Sequence, residues 1–343
     1  MNILIKTMPK LLLVCLLFVA HGCDANTKQK KNQNQNNTTQ NQNSNIKVYF
    51  SKTSGAFYKD GADNIIIQSI NEATNSIYLA MYNFTNKNIK QAIIDAKNRG
   101  LDVKIVTDKK YKNIAVFKKF KDIGIIVIDD DDQTKSMHNK ILIIDEHIVY
   151  IGSANYTVYA FYRNYENIIK IKDKNIAKIY KDKLDNLFAK NGKTTNSHKS
   201  KTIDIYFSPE HNIEDVIIQH INNSKNSIKV LAFALTNSSI SDSLIAASNR
   251  GVQVSVVFDK EQNNYQKYSK YDNLVSNGIS AVLNNNAKKM HNKVMIFDDN
   301  IVLSGSYNFT NQANDKNDEN VVLIKNKTIV KKYKDEFKKI YDR

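Results

Sequence analysis

Cysteine and proline are almost absent, with two of each in 343 residues. Two Cys cannot build a disulfide framework or a zinc ribbon. Two Pro and ten Gly exclude a collagen-like or Pro-rich disordered chain. Long apolar runs are missing too, save one at the very start, so the chain is not a polytopic membrane protein. What is present suffices for a core: 41% of residues are hydrophobic against 24% charged. The length suits two ordinary domains better than one. Fifty Lys and Arg against 34 Asp and Glu leave +16, which favours anionic partners such as nucleic acid, phospholipid headgroups or other phosphate esters.

The single apolar run, Leu11 to Ala20, is ten residues long and follows Lys6 and Lys10. A helix of that length reaches about 15 Å, half the roughly 30 Å hydrocarbon core, so it is too short to span. Residues 1–22 therefore read as a secretory signal. The segment Ala20-His21-Gly22-Cys23 resembles the lipobox of bacterial lipoproteins, in which the Cys is lipidated. Ala20 stands where Leu is usual, and His21 is unusual. The other reading is a plain signal peptide with an incidental Cys. Residues 23–45, rich in Asn and Gln, hold almost nothing that could be buried and are expected to be a disordered tether. Five Lys and one Asp precede residue 46, so +12 of the +16 belongs to the remainder.

That remainder is a duplication. Tyr49-Phe50-Ser51 answers to Tyr206-Phe207-Ser208, and Asn75-Ser76-Ile77 to Asn226-Ser227-Ile228. Asn98-Arg99-Gly100 answers to Asn249-Arg250-Gly251, and Asp108 to Asp259, these last three at a constant offset of 151. The expected domains are 46–195 and 196–343, joined near Asn191 to Lys201. Apolar runs Ile77–Tyr82 and Ile228–Ala234 suit strands. Ile89–Asn98 and Ile240–Asn249 have helical spacing and stop at Arg-Gly. Val103–Thr107 and Val252–Phe258 follow as strands, and Val330–Ile340 reads as an amphipathic closing helix. The pattern predicts an α/β fold: two similar domains, each a mostly parallel mixed sheet flanked by helices, packed with pseudo-twofold symmetry.

The most informative stretch also occurs twice. MHNKILIIDEHIVYIGSANYT carries His138, Lys140, Asp145, Gly152, Ser153 and Asn155. MHNKVMIFDDNIVLSGSYNFT carries His291, Lys293, Asp298, Gly305, Ser306 and Asn308, all 153 residues on. Glu166-Asn167 and Glu319-Asn320 follow, each Glu 28 residues past its His. In an extended HxK the two side chains share a face. Imidazole titrates near neutrality and ammonium attracts phosphate oxygens. Ser and Asn add neutral donors, and Gly permits close backbone approach. Two copies face to face make an anion pocket with two imidazoles, suited to one nucleophile and one general acid.

This constellation resembles the HKD motif of the phospholipase D superfamily, HxK(x)4D(x)6GSxN, at 138–145 and 291–298 and onward. The flanking words look most like its small metal-independent bacterial endonucleases; related forms act on cardiolipin. The resemblance implies a two-step phosphodiester transfer without a cofactor. One His, expected to be His138, attacks phosphorus, and the other protonates the leaving oxygen and then activates water. It implies that Lys140, Lys293, Asn155 and Asn308 stabilise the phosphoryl oxygens, and that Glu166 and Glu319 orient the imidazoles. Asp145 and Asp298 are expected to be structural, and Ser153 and Ser306 to support the site. His21, His147, His198, His211 and His220 lack the pattern. Asp129 to Asp132 is expected to be a solvated acidic loop; no metal-ligand spacing is present.

Three functions fit: an endonuclease acting on DNA or RNA, a phospholipase D or cardiolipin hydrolase, and a non-catalytic binding lipoprotein. Intact His138, Lys140, His291 and Lys293 weigh against the last. The partner is then nucleic acid or anionic phospholipid, with a lipid anchor on the membrane and a pseudo-dimeric monomer. The expected location is the bacterial cell envelope, with secretion or the periplasm as the alternative. Cys23→Ala should abolish incorporation of labelled palmitate; incorporation that persists would remove Cys23 as the anchor.

Overall fold

Each half of the chain builds a seven-stranded sheet from a matching succession of strands. The computed structural model describes residues 45–51, 53, 60–132, 134–190, 194–265, 267–284 and 288–343. The signal, Cys23 and the tether as far as residue 44 lie outside them. The first half runs β1 (Ile46–Phe50), α1 (Asp63–Asn71), β2 (Ser76–Met81), α2 (Lys87–Asn98), β3 (Asp102–Thr107), α3 (Ala115–Asp122) and β4 (Ile126–Asp129). It continues with β5 (Lys140–Ile144), β6 (Ile148–Gly152), α4 (Val158–Tyr162), β7 (Asn167–Lys172) and α5 (Lys174–Ala189). The second half runs β8 (Ile203–Ser208), α6 (Ile213–Asn223), β9 (Ser227–Ala232), α7 (Ser238–Asn249), β10 (Gln253–Asp259), α8 (Lys260–Tyr265), α9 (Tyr271–Ser276) and β11 (Ser280–Asn284). β12 (Lys293–Phe297), β13 (Ile301–Gly305), α10 (Asn311–Asp315), β14 (Glu319–Ile324) and α11 (Lys327–Tyr341) complete it.

The strand orders are β1-β7-β6-β5-β2-β3-β4 and β8-β14-β13-β12-β9-β10-β11, identical place for place. The two similar α/β domains are as expected, but the sheets are not mostly parallel. Only β2-β3-β4 and β9-β10-β11 run parallel; the other pairings are antiparallel. The reason is chain length: β5 returns to β6 through Asp145-Glu146-His147, too short for a crossover.

Local chemistry sets the helices. Asn86 caps α2 by accepting from the N–H groups of Asn88 and Ile89, and Asn237 caps α7 through Ile240. The repeated Asn-Arg-Gly word ends both helices. Arg99 then donates to the carbonyls of Ile70 and Ala73, and Arg250 to those of Ile221 and Asn222. The guanidinium of one helix thereby satisfies the open C-terminal end of the helix before it.

Each sheet buries its outer face under its own helices, with cores of Ile66, Phe84 and Phe117 in one half and Ile217, Leu244 and Phe309 in the other. The inner faces meet in a shared core, into which α5 and α11 pack. Tyr180 of α5 meets Phe207 of β8 edge-on at 5.5 Å, and Tyr333 of α11 meets Phe50 of β1 at 5.2 Å. Each large side chain buried there contributes about 1.5–3 kcal/mol, so the hydrophobic term holds the halves together. α11 includes the expected closing helix, and its Ile329, Val330, Tyr333, Phe337 and Ile340 are buried in this core. No helix among the described residues is long and apolar enough to cross a membrane.

Gly152 and Gly305 close their strands at φ +142° and +156°. A Cβ would lie 2.2 Å from the Asn167 carbonyl oxygen at the first and 2.1 Å from that of Asn320 at the second. No side chain fits unless the strand carrying Glu166 or Glu319 moves. Gly305→Ala should lower stability by about 1–3 kcal/mol, the usual overpacking cost, and lower activity further by displacing Glu319. Thermal denaturation and turnover measured together check this; an unchanged midpoint would show that β14 yields.

Candidate active site

Backbone pairing between the halves builds the site. The His138 N–H donates to the Asp318 carbonyl at 3.0 Å, and the Asp318 N–H to Ser136 at 2.9 Å. In the other copy the Tyr165 N–H reaches the Lys289 carbonyl at 2.8 Å, and the His291 N–H reaches Tyr165 at 3.0 Å. Each His therefore lies beside the strand that leads into the opposite Glu. His138 Nδ1 is 2.9 and 2.8 Å from the two oxygens of Glu319, and His291 Nδ1 is 2.9 Å from Glu166 Oε2. Sequence reasoning paired carboxylates with imidazoles; the structure shows that the pairing is exchanged. With Nδ1 engaged, Nε2 is the nitrogen left for chemistry in both rings.

The glutamates are held from behind. Ser153 Oγ donates to Glu166 Oε2 at 2.6 Å and accepts from the Asn167 N–H at 3.0 Å. Asn164 Nδ2 reaches the other Glu166 oxygen at 3.1 Å. Asn317 Nδ2 reaches Glu319 at 3.3 Å, while Ser306 Oγ accepts from the Asn320 N–H. Two buried amides cross between the halves: Asn167 donates to Asn292 at 2.7 Å and Asn320 to Asn139 at 2.8 Å. Asn139 and Asn292 sit inside the repeated MHNK, and sequence reasoning gave them no role. Their position between His and Lys on an inward-facing segment was the available signal.

Lys140 and Lys293 are buried, and each ammonium donates to the carbonyl of its own His, at 2.5 and 2.6 Å. Each also lies over an aromatic ring, Lys140 over Tyr82 at 5.2 Å and Lys293 over Phe233 at 4.6 Å. The same rings meet the histidines edge-on, Tyr82 with His138 at 4.8 Å and Phe233 with His291 at 4.5 Å. Tyr82 and Phe233 follow matching strands in the two copies and were not singled out from sequence.

Burial dominates the electrostatics. It pushes His138 below the usual histidine range and His291 down to about 4, against the pull of Glu319 and Glu166 respectively. It pushes Lys140 down to about 8 and Lys293 to about 7. Both lysines also depress both histidines, so the two halves form one electrostatic unit. Burial raises Glu166, but neighbouring His291 and Lys293 outweigh it and leave the carboxyl below its ordinary range.

The other motif residues serve geometry. Asp145, at φ +51°, accepts from the N–H groups of Thr74, Asn75 and Ser76; Asp298, at φ +48°, accepts from Lys225, Asn226 and Ser227. Asp145 staples the β5–β6 turn to the start of β2, and Asp298 staples the β12–β13 turn to the start of β9. The carbonyl oxygens of Asn155 and Asn308 are buried with no hydrogen-bond partner among the described residues.

The acidic run departs from expectation. Asp130 is half-buried and shares the Met137 N–H with Asp108, at 3.0 and 3.1 Å. Burial, with Asp108 adding to it, pushes Asp130 up to about 6. Asp131 pairs with Lys109 at 3.4 Å. Asp131 is exposed, as in the solvated loop expected, whereas the N–H groups of Lys109 and Met137 hold Asp130 in. Lys118 and Lys119 are exposed on α3, Lys110 is exposed, Lys288 donates to the Thr53 carbonyl, and Lys289 pairs with Glu261 at 3.7 Å. Among the described residues no group of three or more His, Cys, Asp or Glu is arranged to hold a metal ion.

Comparison with known proteins agrees with this architecture. The family described as "Cardiolipin synthase, PLD-like domain" matches residues 66–188 and again 217–341. A phospholipase D of Rickettsia prowazekii (strain Madrid E) is 36% identical over 143 residues, covering 40% of this chain and 65% of that protein. A mitochondrial cardiolipin hydrolase of Chlamydomonas reinhardtii is 30% identical over 125 residues, covering 36% of this chain and 56% of that one. The chain thus spans less than two thirds of either relative. The solved phosphatidylserine synthase of Haemophilus influenzae Rd KW20 shares the fold at a TM-score of 0.66 and 14% identity, over 89% of this chain and 90% of its own. Matched in both halves, and over more than half of its length, the chain belongs to the phospholipase D-like family.

Proposed function

We propose that the protein is a phosphodiesterase that hydrolyses phospholipid phosphodiesters through a phosphohistidine. The observation that carries the reaction type is the exchanged His–Glu pairing, which sets two imidazoles with fixed Nδ1 atoms in one field with two lysines. In the first step His138 Nε2 attacks phosphorus, and the P–O bond to the leaving group breaks. His291 Nε2–H supplies the proton to the departing oxygen. In the second, His291 takes a proton from water, the hydroxide oxygen bonds phosphorus, and the P–N bond to His138 breaks. Lys140 and Lys293 offset charge on the non-bridging oxygens. A diester anion entering the site raises the His291 pKa from about 4 and so favours the protonated acid.

The names of the curated relatives, phospholipase D and cardiolipin hydrolase, support phospholipid as substrate. Nucleic acid is the second reading. It rests on the motif wording and on +12 over residues 46–343, since five Lys and one Asp of the +16 chain lie earlier. Parallel assays on vesicles, plasmid, single strands and RNA separate the two. Attachment to the cell envelope through Cys23 belongs to the same proposal.

Because each half supplies one imidazole, His138→Ala or His291→Ala alone should reduce turnover by several orders of magnitude. The double variant should be hardly worse. Rapid quenching should place phosphate on His138 only. Half the activity surviving in each single variant would mean two independent sites, and the mechanism would fail.

A pH profile tests the lysines. Burial lowers both, so the free enzyme loses the Lys293 proton at about 7 and the Lys140 proton at about 8. kcat/KM should therefore fall as the pH rises through 7 to 8, while depressed His138 stays neutral and nucleophilic there. A kcat/KM that climbs steadily from pH 7 to about 9 would contradict charged lysines in the transition state.

A further inference from the structure

The halves differ where the chain passes from β3 to β4 and from β10 to β11. In the first half Asp108 to Gly124 includes α3, buries Phe117 and Phe120, and packs Tyr111 against Tyr82 at 4.9 Å. In the second, Asp259 to Gly278 is three residues longer and forms α8 and α9. α8 buries none of its residues, and α9 buries Leu274 alone. Tyr265 is 80% exposed, Tyr268 69% and Val275 45%. Ile126 and Tyr159 are the other large apolar side chains so exposed among the described residues, and both belong to the first half.

These aromatic groups are mixed with cations. Lys260 and Lys267 are exposed, Lys270, Lys288 and Lys289 half-buried, and Lys267 lies over the Tyr268 ring at 5.8 Å. Glu261 and Asp272 are the acids of the same lobe. A cavity of about 450 Å³ lies beneath it, lined by Asp259, Lys260, Glu261, Tyr265, Lys288 and Lys289 among others. Asp259 accepts the Met290 N–H at 2.7 Å, one residue before His291, so the lobe stands beside the active site. At that exposure Tyr265 and Tyr268 bury little apolar area in the fold. A ring with a polar hydroxyl tip suits the boundary between headgroups and acyl chains, and lysines around it complement an anionic surface.

We propose that the α8–α9 lobe docks the active site on an anionic phospholipid bilayer. Tyr265, Tyr268 and Val275 enter the interface, while Lys260, Lys267 and Lys270 meet headgroup phosphates. The proposal rests on the phospholipid reading above. The test uses the full chain carrying Cys23→Ala, so that no acyl anchor contributes. It is sedimented with vesicles of phosphatidylcholine alone or of phosphatidylcholine with cardiolipin. Tyr265→Ser with Tyr268→Ser should weaken binding to the anionic vesicles at least tenfold. Lys260→Gln with Lys267→Gln should remove the preference for them. Turnover of soluble bis(p-nitrophenyl) phosphate should stay within twofold in both.

Unchanged vesicle binding in both double variants would overturn the proposal. So would a loss confined to single-stranded oligonucleotide binding, which would make the lobe a base-stacking platform. Phospholipid dispersed in detergent micelles separates the two failures, because hydrolysis there needs no docking. Variants that match the parent on vesicles but hydrolyse micellar lipid leave the phospholipid reading standing and remove the docking. Turnover of the soluble diester with none of micellar lipid removes the phospholipid reading itself.

Discussion

A buried imidazole is useful only if one nitrogen is fixed and the other left open, and here the fixing group always comes from the other half. His138 leans on Glu319, and His291 on Glu166. Burying a carboxylate is costly unless charges and donors surround it. Glu166 has Ser153, Asn164 and His291, and Glu319 has Asn317 and His138. Several other features of the site serve that exchange. The cross-half backbone pairs at Met137 and Met290 set the register, the buried Asn pairs hold it, and Gly152 and Gly305 let the glutamate strands approach.

The exchange also explains the shared core. Three ionisable groups per half, a His, a Lys and a Glu, can be kept in register only if the sheets do not slide. The packing of α5 and α11 between the inner faces supplies that rigidity. Lys183 of α5 adds a buried ionic tie, bonded to Glu210 at 2.5 Å and to Asp318 at 2.9 Å, both in the opposite half. Removing one partner of such a tie leaves an uncompensated charge, so it locks the arrangement more than it stabilises the fold. Asp318 is also the residue whose carbonyl receives the His138 N–H.

Around this symmetric centre the halves have diverged. Asp130 occupies the place that Asn284 holds in the second copy, each following the same parallel pairing of strands. Beside His138 the Met137 N–H therefore faces two carboxylates, whereas the Met290 N–H bonds to Asp259. One rim carries the acidic run, and the other the lysine–tyrosine lobe. The chemistry needs the pseudo-symmetry, but a substrate with two unlike ends does not.

The duplication, the strand and helix positions around Ile77, Ile89 and Val103, and the motif residues from His138 to Glu319 were legible in the sequence. They are carried by local period and by words repeated at constant offset. The antiparallel share of the sheets was not legible, because an apolar run looks the same whichever way its neighbour points. Nor were Asn139, Asn292, Tyr82 and Phe233 recognisable as site residues, since an amide or a ring has a role only once something stands opposite. Sequence alone determined which side chains are available: two imidazoles, two ammoniums and two carboxylates, each at fixed spacing. Only the tertiary structure decided which carboxylate meets which imidazole, because that pairing depends on strands brought together across more than 120 residues by the packing of two sheets.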